Sequence, residues 1–210
     1  MKVQLLTYTN TPTKVCAAAA WVCTHPEFAT EAELHPDKSG PMLRRVIKSG
    51  HESVLEHASF TFAIDGISRA CSHQLVRHRI ASFSQQSQRY VAGKDPIPVV
   101  MPRSIVDAGW DRSVLLHHSE SAVLYNVLLG VGVPAEDARF VLPNAATTKL
   151  VMTMNARELR HFFRLRLCKR AQWEIRELAE LMLAHCRKAA PVLFEDAGPD
   201  CENCKEGRKC

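Results

Sequence analysis

The most informative part of this 210-residue chain reads Arg77-His78-Arg79-Ile80-Ala81-Ser82-Phe83-Ser84-Gln85-Gln86-Ser87-Gln88-Arg89-Tyr90. An unbroken basic triplet is followed by three serines, three glutamines and one further arginine, and no acidic residue lies within ten positions of the triplet. Guanidinium groups bind phosphate through paired hydrogen bonds, while hydroxyls and amides suit phosphate oxygens and base edges. The stretch therefore predicts a site for a phosphorylated, heteroaromatic ligand; the alternative is a solvated helix end.

The formal net charge of +5 is unevenly distributed. Residues 68–94 hold five basic and no acidic residues, and residues 156–188 hold nine basic and four acidic ones. The remainder of the chain is net acidic. Two basic clusters on an acidic background favour anionic ligands, and nucleic acid, a membrane surface and phosphorylated metabolites stay open at this point.

Composition indicates a globular protein, since 46% of the residues are hydrophobic and 23% are charged. The length suits one domain, expected over residues 1–197, with a cysteine-containing tail at 198–210. The longest apolar run, residues 15–23, is far short of the roughly 20 residues of a membrane span. The first residues alternate like a strand and lack the apolar core of a signal peptide. Single cysteines in apolar contexts then favour a cytoplasmic location.

Hydrophobic periodicity predicts a mixture of strands and helices. The predicted strands are residues 1–7, 59–65 and 147–154, and the predicted helices are residues 16–21, 42–47, 67–79, 112–129 and two that follow residues 155 and 172. Pro41 and Gly50 bracket the second helix, and Asn155 with Glu158 forms a capping pair for the helix after residue 155. The expected fold is α+β, a single domain with a mixed or antiparallel sheet flanked by a helical bundle.

Two further motifs lack the context that their chemistry needs. The letters of a dinucleotide fingerprint occur at residues 130–135, but a predicted helix precedes them where a strand is required. A helix-to-helix turn is expected there, with Pro134 opening the next helix. His51 and His57 are six residues apart, roughly 120° from alignment on a helix, whereas a zinc-binding helix needs histidines four apart.

The tail contains one C-x-x-C pair, Cys201 and Cys204, with Cys210 beyond it. A zinc site needs four ligands, so an exposed tail is the preferred interpretation and no metal is predicted. A zinc-tailed interaction module stays open as a rival function. A nucleic-acid-binding protein is a second rival, although only Phe83 and Tyr90 place aromatic rings among the basic residues.

Arg77-His78-Arg79, seven further residues and then Ser87 resemble the signature of the flavin-dependent thymidylate synthases. Other parts of the chain are similar to that family as well: residues 50–57, 138–143, 155–166 and 171–175. The resemblance covers roughly residues 1–197. Position 85 is a departure, since Gln stands where some members of the family carry Glu.

The resemblance implies an enzyme that methylates dUMP to dTMP, with 5,10-methylenetetrahydrofolate as carbon donor, FAD as cofactor and NADPH as reductant, giving tetrahydrofolate. It also implies the family's α+β fold and a homotetramer with active sites between subunits, and neither nucleic acid nor a membrane as partner. The implied cofactor contacts are His51, Ser53, Arg77, His78, Arg79, Gln85, Asn155, Arg157 and His161. The implied nucleotide contacts are Gln74, Gln85, Gln86, Ser87, Arg89, Arg139 and Arg166.

Two of these residues are candidates for a direct part in the chemistry. Ser87 is expected to position the nucleotide and not to act as a nucleophile, because no histidine lies near it in the sequence to act as a base. Arg166, together with Arg139, is expected to stabilise the uracil carbonyls or the phosphate as negative charge develops.

Overall fold

The computed structural model describes residues 1–91 and 97–199. Four strands form one sheet in the order β1-β2-β4-β3. They are β1 (Lys2–Tyr8), β2 (Ser59–Ser68), β3 (Ala81–Gln85) and β4 (Thr147–Asn155). The tail cysteines Cys201, Cys204 and Cys210 lie outside the described residues, so the interpretation of the tail stays a prediction.

Neighbouring strands of the sheet run antiparallel, because the end of one strand is hydrogen bonded to the start of the next. The bonds in question run from Thr9 N–H to Ser59 O (2.9 Å), from Ala156 N–H to Ala58 O (2.7 Å) and from Gln86 N–H to Lys149 O (2.9 Å). The predicted α+β class with an antiparallel sheet is therefore confirmed.

Helices make up most of the regular structure. They are α1 (Pro12–Val22), α2 (Pro36–Lys48), α3 (Arg69–Leu75), α4 (Arg103–Asp107), α5 (Asp111–Gly130), α6 (Ala135–Ala138), α7 (Ala156–Arg166), α8 (Trp173–Ala189) and α9 (Pro191–Phe194). Two 3₁₀ helices cover Glu52–His57 and Arg139–Val141. Among the described residues, no helix combines the length and the apolar character needed to cross a membrane.

The chain forms two compact units. Unit 1 contains residues 1–2, 64–76 and 84–150, and unit 2 contains residues 3–63, 77–83 and the chain from 151 onward. The single domain expected over residues 1–197 stays a prediction.

The core of unit 2 is built from aromatic side chains. Phe60 and Phe62 alternate with more exposed residues along β2, as predicted for a strand with one buried face. The rings of Phe60 and Phe194 meet edge to face at 5.3 Å, and those of Phe163 and Phe194 at 6.0 Å. Phe162 and Phe163 are fully buried, so α7 turns an aromatic face into this core.

A largely buried arginine of α7 is hydrogen bonded to residues 193 and 196, in and just after α9. Arg160 donates to the two carboxylate oxygens of Asp196 at 2.7 and 3.2 Å and to the backbone oxygen of Leu193 at 2.8 Å. Its side chain is only 11% exposed. Glu52 Oε1 lies 3.4 Å from Arg160 Nε. The guanidinium therefore connects α7 to the first 3₁₀ helix and to residues 193–196.

Helix α5 in unit 1 keeps a large apolar surface exposed. Only Ala122 and Tyr125 of its residues are buried, whereas Leu116, Val123 and Val127 are 63%, 54% and 53% exposed. These three exposed residues are spaced by seven and four positions, which places them on one face of the helix. We call them the α5 apolar face. The predicted helix bounds of 112–129 are confirmed to within a residue.

The predicted helix at residues 67–79 is wrong at both ends. Strand β2 continues through Gly66, whose φ of 79° lies in the left-handed region that glycine tolerates, and ends at Ser68. The Ser68 hydroxyl accepts from Cys71 N–H at 2.9 Å and caps α3. Helix α3 then ends at Leu75, which leaves Arg77-His78-Arg79 in the turn that follows.

Two other expectations need correction. Helix α2 begins at Pro36 and not at Pro41, because His35 caps it by accepting from Asp37 N–H, and Pro41 lies inside the helix. Strand β3 was not predicted, since its sequence is polar on one side and only half-buried on the other. The caps at Asn155 and at Pro134 are confirmed, as the residues that directly precede α7 and α6.

Candidate active site

The predicted ligand contacts separate between the two units. Unit 2 holds all the predicted cofactor contacts except Gln85, and unit 1 holds all the predicted nucleotide contacts except Arg166. Each unit thus carries its own kind of predicted ligand contact.

Unit 2 contains a cavity of about 410 Å³ where α2 leads into the 3₁₀ helix. Gly50, with a φ of 78°, makes the sharp turn after α2 that only glycine adopts without strain. The turn places the exposed side chains of His51 and Ser53 on the wall of this cavity, together with Arg157 from α7. Imidazole, hydroxyl and guanidinium groups in one cavity can donate to phosphate or carbonyl oxygens of a ligand.

A second cavity of unit 2, about 380 Å³ in volume, lies at the start of α7. Its lining includes the predicted contacts Asn155, Arg157 and His161 together with three carboxylates, those of Glu52, Glu56 and Glu158. The Asn155 side chain accepts from the backbone N–H of Glu158 at 2.9 Å, and the Arg157 guanidinium pairs with a carboxylate of the 3₁₀ helix. The predicted cofactor contacts on α7 are therefore held in place by the capped first turns of that helix.

The basic triplet is divided by burial. Arg77 and Arg79 are exposed, whereas His78 is only 4% exposed. His78 Nδ1 lies 3.2 Å from Glu158 Oε1, and His78 Nε2 lies 3.1 Å from Arg166 Nε. Both ring nitrogens of the middle residue are therefore engaged inside unit 2.

The environment of His78 keeps its imidazole neutral. Burial, reinforced by the neighbouring Arg166 and then His161, lowers the pKa of His78 to about 4. Burial also raises the pKa of Glu158, against a smaller opposing effect of His161. Both shifts oppose an ion pair, so the contact between His78 and Glu158 is a hydrogen bond from a neutral ring.

His78, Glu158 and His161 are also the described residues whose potential metal-ligand atoms come within 4.8 Å of one another. Arg166 already donates to His78 Nε2, and Arg164 Nη2 lies 2.9 Å from His161 Nδ1. Two guanidinium groups beside this trio disfavour a further cation. The chemistry of the donor set thus gives no support to a metal ion here.

In unit 1, Gln85 is fixed by two hydroxyl groups. Its Nε2 donates to Ser72 Oγ at 3.0 Å and to Thr148 Oγ1 at 3.2 Å. Ser72 Oγ donates in turn to the backbone oxygen of Arg69, so it can only accept from Gln85. The amide oxygen of Gln85 is not engaged by these two hydroxyl groups, and it offers an acceptor.

The residues after β3 border a cavity of about 350 Å³ in unit 1. Gln86, Ser87 and Gln88 line one side of it, and residues 146–149 line another. The Ser87 hydroxyl oxygen accepts from Arg89 N–H at 3.1 Å, which shapes the turn that carries Arg89 away from β3.

Three arginines of unit 1 are linked through Glu136 and Arg139. Arg89 pairs with Glu136 at 2.7 Å, and Arg139 Nε donates to the backbone oxygen of Glu136 at 3.0 Å. Arg69 is half-buried, and burial followed by repulsion from Arg139 lowers its pKa. A surplus of guanidinium groups at one place suits a phosphate dianion. Gln74, a further predicted nucleotide contact, lies half-buried on α3.

Sequence reasoning missed two residues of these groups. Arg69 counts among the basic residues of the 68–94 cluster, but its place beside Arg139, seventy positions later, has no sequence signal. Glu158 was recognised only as part of a helix cap. Its contact with His78 follows from packing that the local pattern does not encode.

A family model described as thymidylate synthase complementing protein matches residues 4–192. That range is most of the chain. The chain belongs to this family.

Curated relatives of this family match over nearly the full length. A flavin-dependent thymidylate synthase of Geobacter sulfurreducens is 53% identical, over 99% of this chain and 92% of the relative. Relatives with the same description occur in Clostridium tetani (45% identical; 99% and 91% covered) and Pyrococcus abyssi (44% identical; 96% and 86% covered). The family resemblance inferred from the Arg-His-Arg signature is confirmed.

A solved structure agrees with this membership. The chain is similar to the UMP/dUMP methylase PolB from Streptomyces cacaoi bound with 5-Br dUMP, with a TM-score of 0.78 and 27% identity. The match covers 92% of this chain and 93% of that one. The chain therefore shares the α+β fold of that methylase.

Proposed function

We propose that the protein is a flavin-dependent thymidylate synthase. It methylates dUMP to dTMP with 5,10-methylenetetrahydrofolate as carbon donor, FAD as cofactor and NADPH as reductant, and it releases tetrahydrofolate. The observation that carries this proposal is the 53% identity over 99% of the chain to a relative of that description. The arginine group of unit 1 and the donor-lined cavities of unit 2 support it.

The nucleotide is assigned to unit 1. Arg89 and Arg139 supply guanidinium groups for the 5′-phosphate, and Ser87 adds a hydroxyl on the wall of the adjoining cavity. The amide oxygen of Gln85 accepts a hydrogen bond, which suits an N–H donor such as the uracil imide.

The flavin is assigned to unit 2, where the residues fit its chemistry. In the 410 Å³ cavity, Arg157, His51 and Ser53 place cationic and neutral donors on the wall, as a pyrophosphate and the carbonyl oxygens of a flavin ring require. When bound, FAD supplies the hydride that completes the methyl group. Arg77 and Arg79 are exposed, so their guanidinium groups are accessible to a bound ligand.

Arg166 is assigned an electrostatic role toward the uracil ring. Electron density must rise at the ring carbon that is methylated, and negative charge then develops on the ring carbonyl oxygens. A guanidinium is always protonated and donates without exchange of a proton. Arg166 therefore stabilises that charge and does not act as an acid or base.

The test of the proposed function uses the full chain. The purified protein is expected to show flavin absorbance and to form dTMP only when dUMP, 5,10-methylenetetrahydrofolate and NADPH are present together. Omission of each reagent in turn supplies the controls. A preparation that is reconstituted with FAD and still forms no dTMP contradicts the proposal.

Ser87→Ala tests the positioning role of the hydroxyl. Among the described residues, no imidazole or carboxylate is hydrogen bonded to the Ser87 hydroxyl, so no described group activates it as a nucleophile. We expect the KM for dUMP to rise about tenfold, the loss of one hydrogen bond to a charged group, with kcat nearly unchanged. Steady-state kinetics measure both values.

Ser84→Ala is the matched control, since Ser84 is an exposed hydroxyl on β3 outside the assigned contacts. Loss of all turnover in Ser87→Ala with unchanged dUMP affinity contradicts the positioning role and supports a nucleophile.

We propose a homotetramer with active sites between subunits as the assembled state. The α5 apolar face supports this, because large contiguous apolar surfaces of soluble proteins mark interaction sites. We place the enzyme in the cytoplasm, as the cysteine usage favours.

Val123→Glu tests the assembly. A charge at the centre of the α5 apolar face costs several kcal/mol if that face is buried in an interface. Light scattering is expected to give four times the chain mass of 23.5 kDa for the unchanged protein and a smaller species for the variant. Asn126→Glu, at an exposed polar position of the same helix, is the control. An active monomer contradicts the proposal.

A further inference from the structure

His78 has a bonding pattern that fixes its tautomer. Arg166 Nε always carries a proton and can only donate, so His78 Nε2, 3.1 Å away, must accept and carry no proton. The single ring proton is therefore on Nδ1, which points at Glu158 Oε1 at 3.2 Å. Two hydrogen bonds therefore link the three side chains, one between Glu158 and His78 and one between His78 and Arg166.

These two hydrogen bonds constrain the side chain of Arg166. An arginine side chain has four flexible torsions, and their freedom is costly to restrict during a reaction. An acceptor at Nε fixes the end of the stem and the plane of the guanidinium together. The acceptor is itself immobile, because His78 is 4% exposed and packs edge to face against Phe162 with ring centroids 5.0 Å apart.

We propose that His78 is a positioning residue, whose Nδ1–H tautomer is set by Glu158 and whose bare Nε2 orients the guanidinium of Arg166 toward the substrate. The inference rests on the role proposed above for Arg166. It differs from the expectation that the His78 side chain contacts the flavin, since both ring nitrogens are engaged within unit 2.

Two polar substitutions of His78 each remove one of its two hydrogen bonds and keep the other. Asn can replace the Nδ1 side of an imidazole, so His78→Asn keeps the donor to Glu158 and loses the acceptor for Arg166. Gln reaches the Nε2 position, so His78→Gln keeps an acceptor for Arg166 and loses the donor to Glu158. Both variants retain a polar group in the same pocket, which limits the effect on folding.

The expected result is a difference in kcat. Misplacement of a reacting group by about 1 Å costs up to 100-fold, so His78→Asn should lower kcat about 30-fold, and His78→Gln only a few-fold. In an Arg166→Ala background, His78→Asn should lower kcat no further. Equal losses in the two variants, or an additional loss in the Arg166→Ala background, overturn the proposal. His185→Asn is the control, because His185 is a half-buried histidine hydrogen bonded to Val3 O outside the site.

A second measurement needs no activity. In holoenzyme labelled with ¹⁵N-histidine, the His78 ring should show a protonated Nδ1 and a bare Nε2 at pH 7. A protonated Nε2, or an imidazolium, overturns the proposal even if neither variant folds. If the unchanged protein makes no dTMP, the proposed function fails, while the tautomer measurement still decides the arrangement of the three side chains.

Discussion

Arg166→Ala is expected to lower kcat/KM for dTMP formation by about 100- to 1,000-fold, the cost of removing one preorganised donor from a site of developing negative charge. The guanidinium is half-buried in unit 2 and held at Nε by His78. Because the predicted flavin contacts on α7, Asn155 and Arg157, keep their own partners, the variant should retain FAD.

The measurement combines steady-state kinetics with the flavin absorbance per chain. Arg176→Ala is the matched control, since Arg176 is also half-buried in unit 2 but donates to the backbone oxygen of Lys169, away from the cavities. If Arg166→Ala loses FAD and keeps its turnover per bound flavin, Arg166 is a cofactor contact and the electrostatic role is wrong.

Arg160→Ala is expected to lower the free energy of unfolding by about 3 kcal/mol. The substitution leaves the backbone oxygen of Leu193 without its donor and removes the paired hydrogen bonds to Asp196. Each such loss costs about 1–3 kcal/mol. Because the Asp196 carboxylate is exposed to water, the loss of its pairing costs little, and the total stays near the lower end of the combined range. Urea-induced unfolding followed by far-UV circular dichroism measures the change.

The pH dependence gives a second signature of Arg160. The hydrogen bonds from its guanidinium lower the pKa of Asp196. The pair therefore stabilises the folded state at pH values above the ordinary pKa of an aspartate, and this contribution is lost as the pH falls through the lowered pKa. The acid limb of the stability curve should flatten in Arg160→Ala. Arg44→Ala, which removes an exposed pair with Glu195, is the control and should have a much smaller effect. Equal effects of the two substitutions would falsify the special role of Arg160.

The local sequence pattern was sufficient to predict elements whose hydrogen bonds and burial depend on residues close by in the sequence. Strand β2 was predicted because the large apolar residues Phe60, Phe62 and Ile64 occupy every second position, and a period of two is typical of a strand. The cap at Asn155 was predicted because the hydrogen bond it makes is closed within three residues. Helix α5 was predicted from spacing, although its spacing did not reveal that the α5 apolar face stays exposed.

Contacts between distant segments were beyond that reasoning. All three side chains of the triplet were expected to contact the cofactor, but His78 is buried and hydrogen bonded to Glu158, which lies 80 positions further along the chain. Family resemblance supplied the ligand sets, and the structure adds their separation between the two units.

The burial of Phe194 affects how unit 2 is completed during synthesis. This ring packs on Phe60 and Phe163, so a central position of the core stays empty until the ribosome has added residue 194. Unit 1 needs no residue beyond 150. At translation rates of about 5–20 residues per second, the early strands of unit 2 wait several seconds for their last partner. We therefore expect nascent unit 2 to keep apolar surface exposed for longer than unit 1 does.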